Sequence, residues 1–227
     1  MPLVTALRAT RRGRVAVYAD GEFLCSVSEA AVARWRLHKG RELRDEDVES
    51  LIADASVELA LSDAHRLLGH RARSVHELRR RLLAAEHAPP AVESVLARLE
   101  DDGLLDDAGF ARSYVADKRR LAGWGEERIR RGLAEAGVAQ EHTEAALAAA
   151  AEGEPEGAEV ARALAVLRRR TPGVSSLDDA ARRRAYQLLL RRGFGSGVAY
   201  AAIRSWSAGA PADDAGADAG SWDDQSG

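Results

Sequence analysis

Six histidines, one cysteine and two pairs of adjacent aspartates are the residues that could hold a metal or transfer a proton. No two histidines lie four residues apart, so no helix can present a pair of them to a metal ion. The single Cys25 excludes a disulfide framework and a cysteine-based zinc site, and its place in a predicted strand favours an inert thiol. Asp101-Asp102 and Asp106-Asp107 could bind Mg²⁺, although helix-end capping explains them more simply. The sequence therefore predicts no metal, no cofactor and no enzymatic activity.

Phosphate-binding loops give no better candidate. Residues 193–197 are rich in glycine, but no strand is predicted before them, and the Gly-Lys-Ser/Thr ending of a nucleotide-binding loop is missing. This stretch is more simply interpreted as the connection between two helices.

Arginine supplies the remaining chemistry, because all but two of the 33 basic residues are arginines. A guanidinium group can pair with a carboxylate or a phosphate through two parallel hydrogen bonds. Two interpretations stay open: solvated helix faces in a composition rich in arginine, or a discontinuous basic strip that binds phosphates or an acidic protein groove. The candidate partner-binding residues are Arg79, Arg80, Lys118, Arg119, Arg120, Arg130, Arg131, Arg182, Arg183, Arg191 and Arg192.

Composition and charge indicate a folded protein that ends in an acidic segment. Hydrophobic residues make up 46% and charged residues 30% of the 227 residues, and the net charge is −3. Residues 207–227 hold five aspartates, no basic residue and a single large apolar side chain, Trp222, so we predict a disordered acidic tail. Without that tail the chain carries a small positive charge. No apolar run reaches the length of a membrane span, and a cytoplasmic monomer is predicted.

The first 55 residues read as a small β-meander with helices. Apolar residues around Val17 and Leu24 flank Asp20-Gly21, a dipeptide typical of two-residue hairpins, and Val4 begins a possible third strand. A second turn is predicted near Arg12-Gly13. Ser28 is placed to cap a short helix that ends at Trp35. Asp45 begins another helix, on which Val48, Leu51 and Ile52 are predicted to share one face.

Nine helices in three groups of three are predicted after residue 56, and no strand. The groups are 57–69, 74–87 and 90–101; 106–121, 125–136 and 140–151; and 156–170, 177–192 and 196–206. The predicted domains are therefore 1–55, three three-helix repeats at 56–103, 104–153 and 154–206, and the tail at 207–227.

Two internal alignments support the repeats. Ser74 aligns with Gly125 at an offset of 51 residues, and Gly137 aligns with Gly193 at an offset of 56. Ser74 and Glu77 form a capping-box pattern at a helix start, whereas both aligned glycines stand where a helix should end. A large ring that follows a turn glycine, as Trp124 does, is predicted to fill the gap between repeats.

In this order and spacing, the motifs resemble the RecX family of bacterial regulators of the recombinase RecA. The likeness runs from about Val57 to Trp206 and ends with the family-like Arg191-Arg192-Gly193-Phe194. The residues that carry these motifs, with predicted structural roles, are Ser74, Glu77, Leu78, Leu104, Leu105, Asp106, Asp107, Phe110, Tyr114, Trp124, Ile129, Leu133, Gly137, Gly193 and Phe194.

The resemblance implies a mainly α fold of three tandem three-helix repeats in an elongated, curved array. It also implies binding in the groove of the RecA filament on DNA, where the family limits RecA's ATP hydrolysis, strand exchange and support of repressor self-cleavage. Single- or double-stranded DNA is a further candidate partner. The alternatives are a helix-turn-helix-like regulator that binds DNA without RecA, and a passive scaffold for another helical partner.

Overall fold

The computed structural model describes residues 1–10, 13–170 and 178–208. Arg12 of the predicted second turn and the acidic tail from residue 209, with Trp222, lie outside the described residues. Contacts divide the chain into two compact units. The first, called here the N-terminal unit, comprises Met1–Phe110 with Ala136–Ala139, and the second, the C-terminal unit, comprises Ala111–Glu135 with Gln140–Gly227.

A three-stranded antiparallel sheet opens the N-terminal unit, as predicted. Strands β1 (Val4–Ala9), β2 (Val15–Ala19) and β3 (Glu22–Val27) pair in sequence order. Asp20 and Gly21 join β2 to β3 with φ angles of 49° and 90°, and two successive positive φ angles match the right-handed twist of a hairpin.

Helix α1 (Glu29–Arg34) follows the sheet, and the Ser28 hydroxyl caps it by accepting the Ala31 amide at 3.0 Å.

Helix α2 (Asp45–His70) is one continuous element of 26 residues, so the prediction of two separate helices with a break near residue 56 was wrong. No glycine or proline interrupts the sequence before Gly69. Ala55 belongs to the core beneath the sheet, whereas Ala60 belongs to the core of the following helices, so one helix serves two cores. The predicted domain boundary at 55/56 therefore falls inside a helix, and the domain division stays a prediction.

The face predicted for α2 also needs correction. Leu51 is fully buried and Val48 half-buried, but Ile52 is 42% exposed. Adjacent residues lie about 100° apart around a helix, so Ile52 points away from the face that holds Leu51.

The remaining helices confirm a mainly α fold with three groups of three helices. They are α3 (Val75–Ala84), α4 (Pro89–Asp101), α5 (Asp107–Asp117), α6 (Glu126–Glu135), α7 (Gln140–Ala151), α8 (Ala158–Arg170), α9 (Asp179–Arg191) and α10 (Ser196–Ala208).

Several helix ends differ from the prediction, and α3, for example, ends at Ala84 and not at residue 87. A π-helical segment, Lys118–Ala122, replaces the last turn predicted for α5, and α10 includes Ser207, which had been assigned to the tail.

A contact between a helix start and a glycine turn recurs in the two units. In the N-terminal unit, the Ser74 hydroxyl accepts the Glu77 amide at 3.0 Å and donates to the Ala136 carbonyl at 2.5 Å. Gly137, with a φ of +74°, lies so close to His76 that an added Cβ would come within 2.4 Å of its side chain. Only glycine fits a position that combines a positive φ with this close approach.

The C-terminal unit repeats this arrangement with other residues. The Gly125 amide donates to the Arg192 carbonyl at 2.8 Å, and the Glu127 amide donates to the Gly193 carbonyl at 3.0 Å. A Cβ added to Gly193, whose φ is +83°, would lie 2.3 Å from the backbone nitrogen of Arg128. The two alignments found in the sequence are therefore the two halves of one recurring contact.

Replacing Ser74 by alanine tests the contact in the N-terminal unit. We expect a loss of about 2 kcal/mol, because the change removes a helix cap and leaves the Ala136 carbonyl without its donor. The free energy of unfolding in urea measures it. Ser113→Ala, on the exposed face of α5, is the matched control and should change stability by about 0.5 kcal/mol or less. Similar losses for both variants would contradict the structural role of Ser74.

Candidate partner-binding surface

Several predicted contact residues already neutralise carboxylates within the protein. Arg79 forms two hydrogen bonds to Glu93, at 2.8 and 2.9 Å, and so joins α3 to α4. Arg130 joins α6 to α7 by pairing with Glu144 at 2.9 Å, and it also contacts glutamates 126 and 127 of its own helix. Among the residues that the structure describes, Arg182 pairs only with Asp179, at 3.4 Å and in an exposed position. The Arg79–Glu93 and Arg182–Asp179 pairs are both exposed, so each contributes little to stability. Arg130, in contrast, is half-buried in a network of three carboxylates and supports the fold.

Arg119 lies in the interior although it stands between two other basic residues. Its side chain is 7% exposed, and it contacts the Glu126 carboxylate and the Ala150 carbonyl, both at 2.9 Å. The π-helical segment turns this side chain inward and leaves Arg120 exposed. We therefore remove Arg119 from the set of partner-contact residues.

A second group of predicted residues is exposed and forms no ion pair with any described residue. Its members are Arg80, Arg120, Arg131, Arg183 and Arg191. Arg192 is half-buried and donates a hydrogen bond to the Ala122 carbonyl at 2.6 Å. The charges of these residues remain available to a partner.

Two of the available arginines line a cleft of about 380 Å³ in the C-terminal unit, called here the basic-aromatic cleft. Within it the ring of Tyr114 meets that of Trp124 edge to face, with 6.4 Å between centroids. The guanidinium of Arg128 lies 4.2 Å from the centroid of Trp124, and Lys118 Nζ lies 4.9 Å from both centroids. Cation–π contacts hold these charges in place without cancelling them. The cleft is lined by Tyr114, Trp124, Arg128, Arg131, Gly132, Glu135 and Arg191.

The cleft is dominated by positive charge. Its lining includes three arginines and one carboxylate, Glu135. Burial lowers the pKa of nearby Arg192, and the positive charges of Arg170, Arg128 and Arg169 lower it further. Crowded like charges with few counter-charges create a positive potential that attracts anionic ligands.

Gly132 and Arg128 complete the cleft, and the sequence patterns missed both. A Cβ at position 132 would come within 2.2 Å of the Tyr114 hydroxyl, so the glycine lets the tyrosine ring lie against α6. Arg128 also donates to the Arg191 carbonyl at 3.0 Å, which fixes its guanidinium beside the ring of Trp124. Trp124 stands four residues before Arg128, and this spacing of an aromatic residue and an arginine was the signal that could have predicted their contact.

Two residues given structural roles from the motifs are more exposed than core residues. Trp124 is partly buried and lies among cations of the cleft, and its filling of the gap between repeats stays a prediction. Leu104 is 53% exposed, whereas its neighbour Leu105 is buried.

The other motif residues contribute to the fold. Those with buried side chains are Ser74, Leu78, Leu105, Ile129, Leu133 and Phe194. The Phe194 amide folds back to donate to the Leu189 carbonyl at 3.1 Å. Phe110 and Tyr114 are half-buried on α5.

The acidic pair at the start of α5, Asp106 and Asp107, contacts the first turns of two helices. The Asp106 carbonyl accepts the Phe110 amide of α5 at 2.8 Å, whereas the Asp107 carboxylate accepts the Val75 amide of α3 at 2.9 Å. A carboxylate at a helix start accepts a hydrogen bond from an amide that has no partner within the helix. The positive end of the helix dipole also stabilises its negative charge. The Glu77 carboxylate pairs with Arg71 at 2.8 Å.

Other chemistry finds no support within the described residues. No group of three or more histidine, cysteine, aspartate or glutamate side chains there is arranged to hold a metal ion. Burial raises the pKa of the Cys25 thiol to about 11, so the reactive thiolate is scarce at neutral pH. None of the described helices is both long and apolar enough to cross a membrane.

Models of three RecX domains match this chain in order, the first three-helix domain at residues 60–99, the second at 106–147 and the third at 158–203. Together they account for more than half of the chain. This chain belongs to the RecX family. The regulatory protein RecX of Halalkalibacterium halodurans is 29% identical over 153 residues, which are 65% of this chain and 58% of the relative. That of Lactobacillus johnsonii is 34% identical over 142 residues, 62% of this chain and 52% of the relative.

The matched region spans little more than half the length of these RecX relatives. Solved structures agree with the fold. A crystal structure of regulatory protein RecX covers 90% of this chain with a TM-score of 0.65 and 24% identity, and all of that structure is covered. The match to a crystal structure of RecX from Lactobacillus salivarius covers 66% of this chain and 96% of the chain in that structure, with a TM-score of 0.57 and 19% identity.

A half-buried acid near Arg119, Glu159, gives the protein a testable pH dependence. Burial and the negative charge of nearby Glu126 raise the pKa of Glu159, against the weaker opposite effects of a hydrogen bond from the Glu126 amide and of the charges of Arg162 and Arg119. A raised folded-state pKa means that ionised Glu159 opposes folding above that pKa and has no effect below the unfolded-state value, about 4.3. We expect Glu159→Gln to stabilise the protein by about 0.5 kcal/mol at pH 7.5, after allowance for solvent screening.

Urea unfolding at pH 7.5 and pH 3.5 measures this effect, and the gain should vanish at the lower pH. Glu49→Gln, on the exposed surface of α2, is the control and should change stability at neither pH. An equal gain at both pH values would show that hydrogen bonding or packing, not charge, is the cause.

Proposed function

We propose that this protein binds the RecA filament on DNA and limits its ATP hydrolysis, strand exchange and support of repressor self-cleavage. Membership of the RecX family supports the proposal, since the matched relatives are named regulatory proteins. The observation that carries it is the basic-aromatic cleft. Lys118 and Arg128 lie over its two aromatic rings, Arg131 and Arg191 line it, and none of the four forms an ion pair with a described carboxylate.

The cleft suits a non-enzymatic binder of an anionic surface. Its rings and the carbonyl contacts of Arg128 and Arg192 hold guanidinium groups in position before a partner arrives. Preorganised charges lose little entropy on binding, and a guanidinium plane pairs well with carboxylate or phosphate. A protein that inhibits by occupying sites on the filament, and not by catalysis, must be present at about one molecule per site. Its binding also weakens as salt screens the charges.

A titration of RecA ATPase on single-stranded DNA tests the proposal. We expect ATP hydrolysis to fall as this protein approaches stoichiometric amounts, and filament binding to weaken between low and moderate salt. A stoichiometric excess that neither binds the filaments nor changes their ATPase would overturn the proposal. Sequence-specific binding to duplex DNA without RecA would favour the helix-turn-helix-like alternative instead.

A further inference from the structure

We propose that the acidic segment 209–227 of this chain docks onto the basic-aromatic cleft of the same molecule. The proposal assigns an occupant to a surface whose lining cations otherwise have no acidic partner among the described residues. It does not depend on RecA, and the cleft lies within the C-terminal unit.

The charges of the two parts are complementary. Lys118, Arg128, Arg131 and Arg191 form no ion pair with a described carboxylate, and Arg192 lies among further arginines. The segment holds five carboxylates and no basic residue: Asp213, Asp214, Asp218, Asp223 and Asp224. It also holds Trp222, an aromatic ring suited to a cleft that already positions cations on ring faces. Charge and ring chemistry thus agree between segment and cleft.

The tether is long enough for this contact. Helix α10 begins four residues after Arg192 and contains 13 residues, so its end lies within roughly 35 Å of that arginine by helix rise and extended-chain length. Nineteen residues follow Ala208 and can span up to roughly 60 Å when fully extended. A tethered segment experiences an effective concentration on the order of millimolar, so weak ion pairs suffice.

A groove between α9 and α10 competes for the same segment. It has a volume of about 500 Å³ and is lined by Arg182, Tyr200 and Arg204, among others, and by Ser207, close to where the segment starts. Arg182 already pairs with Asp179 at 3.4 Å, which leaves Arg204 as the lining cation without an ion pair to a described residue. The cleft offers more uncompensated charge, and we therefore assign the segment to the cleft.

Docking would make the segment a competitor of the external partner. This consequence rests on the proposed function, because it requires the cleft to be the surface that contacts the filament. A partner with a denser array of negative charge would displace the segment. The affinity for a partner would therefore depend on its charge density as well as on its shape.

Disulfide trapping in the full-length chain tests the docking itself. Ser221→Cys places a thiol beside Trp222 and is combined with either Glu135→Cys in the cleft or Ser205→Cys on α10. Both partner positions are exposed, and neither change removes a cation. Native Cys25 is buried and does not compete for the oxidant, oxidised glutathione. If the segment does not dock, the shorter loop, between positions 205 and 221, closes faster than the loop between positions 135 and 221. The pair that includes Ser205→Cys should then react first.

We expect the pair that includes Glu135→Cys to cross-link at least fivefold faster than the pair that includes Ser205→Cys at low salt. The order should reverse in 1 M salt, and also when the five aspartates are replaced by asparagine. Faster cross-linking of the Ser205→Cys pair under every condition would overturn the proposal. A fast Glu135→Cys reaction that neither salt nor asparagine replacement slows would overturn its electrostatic basis. None of these results depends on RecA, so the docking can fail while the proposed function holds, and the reverse.

Discussion

Replacing Gly193 by alanine should destabilise the C-terminal unit by about 3 kcal/mol. The glycine adopts a φ of +83°, which costs an L-residue about 1–2 kcal/mol. An added Cβ would also lie 2.3 Å from Arg128 N and 2.4 Å from Arg128 Cβ, so backbone atoms of α6 must shift. Overpacking of this kind adds about 1–3 kcal/mol. Urea unfolding followed by circular dichroism measures the loss.

Gly153→Ala separates the two causes of that loss. Gly153 has a φ of +74°, but an added Cβ would meet nothing within 4 Å. Its replacement should therefore cost about 1 kcal/mol, the conformational part alone. If both alanine variants lose the same stability, close approach between Gly193 and Arg128 is not a structural constraint, and the recurring contact described above loses its support.

Reversing the charge of Arg131 should weaken binding to RecA filaments by about 30-fold, equivalent to about 2 kcal/mol, while leaving stability within about 0.5 kcal/mol of the parent. Arg131 lines the basic-aromatic cleft, is exposed and forms no ion pair with a described residue. Glutamate there removes one positive charge and adds a negative one beside Arg128 and Arg191. Fluorescence anisotropy with RecA filaments on labelled DNA measures affinity, and urea unfolding measures stability.

Neighbouring Arg130 should behave in the opposite way. Arg130→Glu would place a carboxylate among Glu126, Glu127 and Glu144, all now within 3.2 Å of the guanidinium, so we expect a loss of about 2 kcal/mol of stability.

Arg183→Glu is the matched control for binding. It reverses an exposed arginine of α9 that forms no ion pair with a described residue and is not among the lining residues of the cleft, and it changes net charge by the same amount. We expect less than a twofold change in affinity. If Arg183→Glu weakens binding as strongly as Arg131→Glu, total charge rather than the cleft governs the interaction.

Local signals in the sequence determined the secondary structure and the family. The Asp20-Gly21 hairpin, the Ser28 and Ser74 caps and the Gly137 and Gly193 helix ends follow from the conformations and hydrogen bonds of a few adjacent residues. Such interactions are visible in sequence because both partners lie within one turn of each other. The ordered motifs likewise predicted three groups of helices, which the structure confirms.

Tertiary structure alone decided which charges remain available. Arg119 and Arg120 are adjacent and chemically identical, yet Arg119 is buried against Glu126 and the Ala150 carbonyl, whereas Arg120 is exposed. The long-range hydrogen-bond partners of Ser74 and Asp107 were equally hidden, since they lie 62 and 32 residues away. Propensity and periodicity act over a few residues, whereas burial and long-range hydrogen bonding depend on segments that meet only after the chain has folded.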